Sequence, residues 1–516
     1  MSASNIHELL VRHASERPDR EALRYGEQTL SWAGLADRVA RCAAAQREAG
    51  LAPGARVAVL DFNHPSCLEI TLACARVGTA NVVVNFRLAP SEIEYVLNDS
   101  EAEILFVGPE FLPTVHELRD KLPHVRRVVR VGGETDEYEA WLDVTPDEEV
   151  HPAQPTDCFL QLYTSGTTGF PKGVMLTHHG MLAHSSAVAQ EVEAGPDASF
   201  LVAMPLFHVG GSSYAMAALY AGGRMVMTRT PDPELLIRLL QEESITHTFF
   251  VPALLAGLVT VPGAAERDFS ALRVLCYGAS PMPLPLLRAS MDVFPNVFMQ
   301  VYGMTEACGV VSVLGPADHA DPDHTDRLIS AGKPIAGVRM EIRSPDKGEP
   351  VPDGEAGEVW VHTEQLMSGY WNRPDATGEV LTQDGWYRSG DGGHFDSDGY
   401  LYVTDRIKDM IISGGENIYP AEIERVLAEH PAVADLTVVG VPDDKWGEVP
   451  KAVVVAASGH TVDERELLDY CRDHLASYKC PKSVDVVGEL PRNPTGKILK
   501  KDVRARYWKD RDRDTV

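Results

Sequence analysis

No two of the eight cysteines stand in a C-x-x-C pair. Cys42, Cys67, Cys74, Cys158, Cys276, Cys308, Cys471 and Cys480 are scattered, which speaks against a zinc site or a disulfide framework and fits a reducing cytoplasm. Apolar runs long enough to span a bilayer are also missing. The first residues, MSASNIHELLVRHASERPDREAL, are charged and helix-like and lack the apolar core of a signal peptide. A cytoplasmic protein is therefore the expectation. Positive charge is scarce too: 47 Lys and Arg face 75 Asp and Glu, for a formal net charge of −28. That balance disfavours nucleic acid or an anionic membrane as the main partner, and any anionic ligand must be met by a few placed cations. No internal repeat or low-complexity tract is present.

What is there reads as a folded, multidomain α/β chain. A length of 516 residues exceeds one ordinary core and predicts at least two domains. Hydrophobic residues at 44% and charged residues at 24% are those of a globular protein. Ser31 is placed to cap a helix carrying Leu35, Val39 and Cys42 on one face, with Gly50 as its stop. Strand-like runs at 57–60, 82–84, 104–107, 225–227, 246–251, 273–277 and 298–301 alternate with helical stretches, as in buried, largely parallel sheets. Residues 132–155, acidic and proline-bearing, read as an exposed connector.

The most specific stretch follows that connector. Residues 163–174 read YTSGTTGFPKGV and set Thr164, Ser165, Thr167 and Thr168 around Gly166 and Gly169, then add Lys172. Glycines let backbone N–H groups approach a ligand, hydroxyls add donors, and the lysine adds a compact positive charge, a set suited to a polyphosphate. The spacing is not G-x-x-x-x-G-K-[ST], so this is not a Walker A loop. It resembles instead the phosphate-binding loop of adenylate-forming enzymes: acyl-CoA synthetases, luciferases and peptide-synthetase adenylation domains. That resemblance implies a large N-terminal domain of stacked α/β sheets and a small mobile α+β lid, here 1–405 and 406–516.

Four further motifs extend the resemblance over nearly the whole chain. At 302–306 the strand end YGMTE offers Tyr302 as a flat face for adenine, Gly303 in the turn, Thr305 as a phosphate donor and Glu306 as a hard oxygen ligand for Mg2+. The resemblance also puts Gly278, Ala279 and Ser280 beside the nucleotide and gives Asp391, in GWYRSGD, the ribose hydroxyls. In DRIKDMIISGGENIYPAEIE it makes Lys408 the hinge and brings Arg406 to the nucleotide. Gly414 and Gly415 there would let a pantetheine arm pass close to the backbone. Lys497, in PTGK, matches the terminal catalytic lysine that reaches the carboxylate and the α-phosphate.

The acid site is read from LVAMPLFHVGGSS, 201–213, an apolar strand that runs into His208 and then into small residues. His208 matches a residue near the attacked carbonyl, and Val209, Gly210, Gly211 and Ser212 are small enough to leave volume for an acyl group. Val301, Met304 and Val310 complete an apolar lining. No acid occurs between Leu201 and Tyr220 to pair an ammonium, which disfavours an amino-acid substrate. The implied reaction uses Mg·ATP and CoA: an acid attacks the α-phosphate to give acyl-AMP and pyrophosphate, then the CoA sulfur takes the acyl group. A medium- or long-chain fatty acid is the expected substrate, with an aryl acid such as a cinnamate or benzoate second. A rival is an acyl-AMP ligase that delivers to a carrier protein. A homodimer is left open.

Overall fold

The computed structural model describes residues 3–508 apart from 147–150, 152, 165–170, 346, 407–408, 414–415, 444–445, 476, 478 and 493–497. Two large sheets build the N-terminal domain. The seven-stranded sheet runs in the order Gly369–Tyr370, Lys172–Thr177, Cys158–Thr164, Ala80–Val83, Arg56–Leu60, Ile104–Val107, Arg127–Arg130. Its last five strands are parallel, and the Lys172–Thr177 strand turns back antiparallel on Cys158–Thr164. The nine-stranded sheet runs Lys333–Pro334, Gly309–Leu314, Phe298–Met304, Val274–Gly278, His247–Phe250, Ser199–Val202, Arg224–Met227, Glu21–Tyr25, Gln28–Ser31.

One apolar core joins the two sheets, holding Val57, Phe106 and Phe159 of the first with Phe200 and Met225 of the second. The helix Pro65–Val77 lies inside it with all its residues buried. Its two charged residues are buried with partners, Glu69 with Arg38 at 2.7 Å and Arg76 with His7 at 2.8 Å, so the helix can sit between layers. The helix Trp32–Glu48 begins where Ser31 Oγ accepts from the Gly34 N–H, buries Leu35, Val39 and Cys42, and ends before Gly50 at φ +75°. Among the described residues no helix is long and apolar enough to cross a membrane.

Three sequence expectations need correction. The supposed connector contributes to the core: the short helix Tyr138–Trp141 buries both its aromatics, which stack edge-on against Phe106. Acidic neighbours disguised two large apolar anchors. The run at 298–301 continues as a strand to Met304, because it pairs antiparallel with Gly309–Leu314 through the motif itself. The apolar run entering His208 is a strand only at Ser199–Val202.

A four-stranded antiparallel sheet, Arg339–Arg343, Gly357–His362, Trp386–Phe395, Leu401–Arg406, completes the large domain. Sheet membership then changes. Ile411–Ser413, Glu416–Ile418, Val433–Asp443, Gly447–Ala456 and Ser483–Val487 form a separate small sheet with its own core around Ile423, Leu427, Val438 and Val454. The helices Pro420–Ala428 and Glu464–His474 cover it.

Candidate active site

The strands Cys158–Thr164 and Lys172–Thr177 form the stem of the glycine-rich loop, with Tyr163 opposite Gly173 and Thr164 opposite Lys172. Ser165, Gly166, Thr167, Thr168 and Gly169 lie outside the described residues. Lys172 Nζ sits 4.9 Å from the centroid of the Tyr370 ring, within cation–π range. The Tyr370 hydroxyl donates to Glu306 Oε1 at 2.8 Å, and the Met367 N–H donates to the Glu306 carbonyl at 2.8 Å. One aromatic side chain thus joins two charged residues that are far apart in sequence. Tyr370 reaches them because Gly369–Tyr370 pairs with Met175 and Val174 at the edge of the stem. Sequence reading missed it, since a tyrosine in an apolar–polar stretch carries no chemical signature.

Glu306 is 9% exposed, and no cluster of three potential metal-ligating side chains occurs among the described residues. A lone carboxylate fits Mg2+, which keeps several waters and is commonly held by one or two carboxylates plus the phosphates of its substrate.

The nucleotide wall is built where parallel strands end. Gly278 opposes Val301 in register, and a Cβ there would stand 2.1 Å from the Val301 carbonyl oxygen. Beyond it Ala279 adopts φ +66°, and Ala279 and Ser280 are exposed. Gly303 sits at a register shift between the two antiparallel strands, with its missing Cβ 2.0 Å from the Gly309 carbonyl oxygen. Tyr302 Oη donates to Asp391 Oδ2 at 2.7 Å, and Asp391 accepts no turn geometry: it lies inside the strand Trp386–Phe395, opposite Arg406 in register. Thr305 opens the short turn Thr305–Ala307, half-buried. Behind that turn the buried His184 accepts the Val310 N–H at Nε2, 3.0 Å away. Burial pushes the His184 imidazole down to about 3, so it stays the neutral acceptor this bond requires.

His208 is the N-cap residue of the helix Val209–Ala221 but makes no side-chain cap bond. Its Nε2 is buried with no partner among the described residues, and its pKa is lowered to about 4, first by burial and then by the nearby Arg87. A Cβ on Gly210 would meet the Phe249 ring at 2.7 Å, and one on Gly211 would meet the Pro205 carbonyl oxygen at 2.1 Å. Ser212 is buried and donates to the Leu206 carbonyl. Close packing of the helix N-terminus requires small residues at these three positions.

Val209 packs on the large core. Val301 lines a separate cluster with Phe249, Cys276, Met299, Met204 and Tyr214. Met304 and Val310 pack instead with Val359 and Leu401, on the side of the four-stranded sheet. Met204, Tyr214 and Val301 are half-buried at the margin of this cluster. Tyr214 Oη is buried with no partner among the described residues. Its position, four residues after Gly210 and so on the same helix face, was the available signal. Lys408, Gly414, Gly415 and Lys497 lie outside the described residues, and of Arg406 the structure describes the backbone strand alone.

Comparison with known proteins agrees with this arrangement. The profile described as "AMP-binding enzyme" matches residues 10–371, and that of the "AMP-binding enzyme C-terminal domain" matches 422–497. A feruloyl-CoA synthase of an Amycolatopsis species is 43% identical over 499 residues, 96% of this chain and 98% of the relative. A fatty acid–[acyl-carrier-protein] ligase of Streptomyces coeruleorubidus is 39% identical, covering 96% and 95%. The crystal structure of ATP-bound MatB from Rhodopseudomonas palustris superposes with a TM-score of 0.89 at 28% identity, covering 98% of this chain and 99% of that one. The chain belongs to the AMP-binding enzyme family, the adenylate-forming ligases that its motifs resemble.

Proposed function

We propose that this ligase activates a short, flat carboxylic acid, an aryl or arylpropenoic acid, as its adenylate and transfers it to CoA. The observation that carries the acid class is the packing beside His208. Phe249 and the Pro205 carbonyl stand directly against Gly210 and Gly211, which favours a slim, flat acid beside this helix. The unpartnered Tyr214 hydroxyl suits an acid with a hydrogen-bonding group at its far end. The 43% relative named a feruloyl-CoA synthase supports the same class.

The chemistry asks for little covalent help. In the first half-reaction an acid oxygen attacks the α-phosphate and pyrophosphate leaves; Lys172, Thr305 and Lys497 supply positive charge and donors where phosphate charge spreads. Mg2+ held by Glu306 and the triphosphate would add charge neutralisation there. His208, neutral near pH 7, places an imidazole beside the acid without adding a second cation. In the second half-reaction the sulfur of CoA attacks the acyl carbon and AMP leaves, so orientation dominates.

The test is AMP release from Mg·ATP over a panel of fatty, aryl and amino acids, with and without CoA. CoA-dependent AMP release with an aryl acid preferred supports the reading. Preference for a long aliphatic acid contradicts the acid class. An enzyme-bound adenylate that CoA cannot discharge contradicts the acceptor, and points to a carrier protein as in the 39% relative's name.

A further inference from the structure

Asp99 lies far in sequence from every motif singled out above, yet it gathers bonds from Tyr163, Arg373 and Trp371. It ends the helix Pro90–Asp99, and its side chain is 9% exposed. Tyr163 Oη donates to Asp99 Oδ2 at 2.8 Å. Arg373 Nη2 holds Oδ1 at 2.5 Å and also reaches the Tyr95 hydroxyl at 3.3 Å. The Asp99 carbonyl accepts the Trp371 indole N–H at 3.0 Å.

These partners bracket the glycine-rich loop. Tyr163 stands just before it. Trp371 donates its backbone N–H to the Gly173 carbonyl, just after it, at 2.7 Å. Tyr95 Oη lies 3.2 Å from the carbonyl of Pro171, the last residue before the stem resumes, and 3.3 Å from Asp99 Oδ1. A phenol has one proton, and Oδ1 is already held by Arg373, so the Tyr95 proton goes to Pro171. Beneath them Arg56 lies 3.2 Å from the Trp371 ring and donates to Gln161, which donates to Tyr163 Oη at 3.2 Å. Burial and the Asp99 carboxylate push the Tyr163 phenol well up, so it remains a donor at any working pH.

We propose that Asp99, with Tyr95, Tyr163 and Arg373, is a clamp that holds the two ends of the phosphate-binding loop, Tyr163 and Pro171, from outside the nucleotide site. These are positioning residues: none touches substrate, and each acts through a loop end. The proposal rests on the reading of that loop as the polyphosphate cradle. A clamp acting through it should matter for the β- and γ-phosphates and not for the nucleoside.

The test compares affinities for MgATP and AMP, by calorimetry on the full chain, in wild type, Tyr95→Phe and Asp99→Asn. Tyr95→Phe removes the donor to the Pro171 carbonyl and the acceptor facing Arg373 at a half-exposed position, so it keeps the question answerable even where Asp99→Asn lowers stability. The expected result is MgATP binding weakened about five-fold by Tyr95→Phe, the value of one net hydrogen bond, with AMP binding unchanged. Asp99→Asn should weaken MgATP further and again spare AMP. Equal loss for both nucleotides, or no change in either, overturns the clamp. Because binding is read without any acid, failure of the acid–CoA ligase reading leaves this comparison decisive.

Discussion

The Tyr302 phenol donates to Asp391 Oδ2 across 2.7 Å, tying the strand Phe298–Met304 to the strand Trp386–Phe395. The two residues belong to different sheets, so the bond sets the spacing between the face assigned to adenine and the carboxylate assigned to ribose. It also fixes which way the carboxylate points, since Asp391 N–H is itself anchored on Ser389 Oγ at 3.0 Å.

Tyr302→Phe keeps the aromatic face and removes the bond to Asp391. ATP and AMP affinities should fall together, by about five-fold for one hydrogen bond. Equilibrium binding of both nucleotides checks this. The pattern is the opposite of the one expected for Tyr95→Phe, so the pair separates the nucleoside end of the site from its phosphate end.

Tyr370→Phe removes the donor from Glu306 Oε1 and leaves the ring under Lys172 in place. A carboxylate released from its orienting bond holds a metal less well, and loss of such supporting partners costs about 10- to 100-fold in metal affinity or activity. Titrating Mg2+ at fixed ATP should show the midpoint for pyrophosphate release moving to higher Mg2+. An unchanged midpoint with a lowered rate would place Tyr370 in packing alone.

Stability should depend on pH through buried imidazoles. Burial lowers His7, His13, His64, His178 and His208 to about 4 and His184 to about 3. A histidine near 6.5 when unfolded then binds protons in the unfolded state first, so stability rises with pH across about 4 to 6.5 and is lost as pH falls through that window. Asp61, pushed up to about 6 chiefly by burial, works in the opposite direction between about 4 and 6, as does Glu69, raised by burial, but the lowered histidines outnumber them. Thermal unfolding followed from pH 7 to pH 5 should show the transition temperature falling steadily. A flat profile would contradict the burial of these rings.

Tyr214→Phe deletes a buried hydroxyl that has no partner among the described residues, on the helix that His208 caps. Acids with a hydroxyl at the far end of the ring should lose about 10-fold in kcat/KM, while the same acids without it change little, as expected when a paired polar group is removed. Comparing such a pair of acids in both proteins checks it.

Much of this site was legible because its residues are local and chemically marked. The loop at 163–174, the YGMTE strand end and Asp391 announce themselves by composition and order. The connections between them were not. Tyr370 and Asp99 work through partners hundreds of residues away or on another strand, and neither has a composition that separates it from a core or surface residue. Gly210, Gly211 and Ser212 are ambiguous in sequence for a different reason. Small residues leave volume for a ligand or let backbones approach closely, and only packing against Phe249 and Pro205 tells which. Tyr138 and Trp141 went unseen because two buried rings lie in an acidic, proline-bearing stretch.

The most direct test of the central claim is a single-turnover experiment on the wild-type protein with MgATP and a hydroxylated arylpropenoic acid, following acyl-AMP and thioester in the same samples. Acyl-AMP should accumulate without CoA and convert to thioester when CoA is added, with pyrophosphate appearing before AMP. An adenylate that persists in excess CoA, or no pyrophosphate released with any acid, would contradict the account.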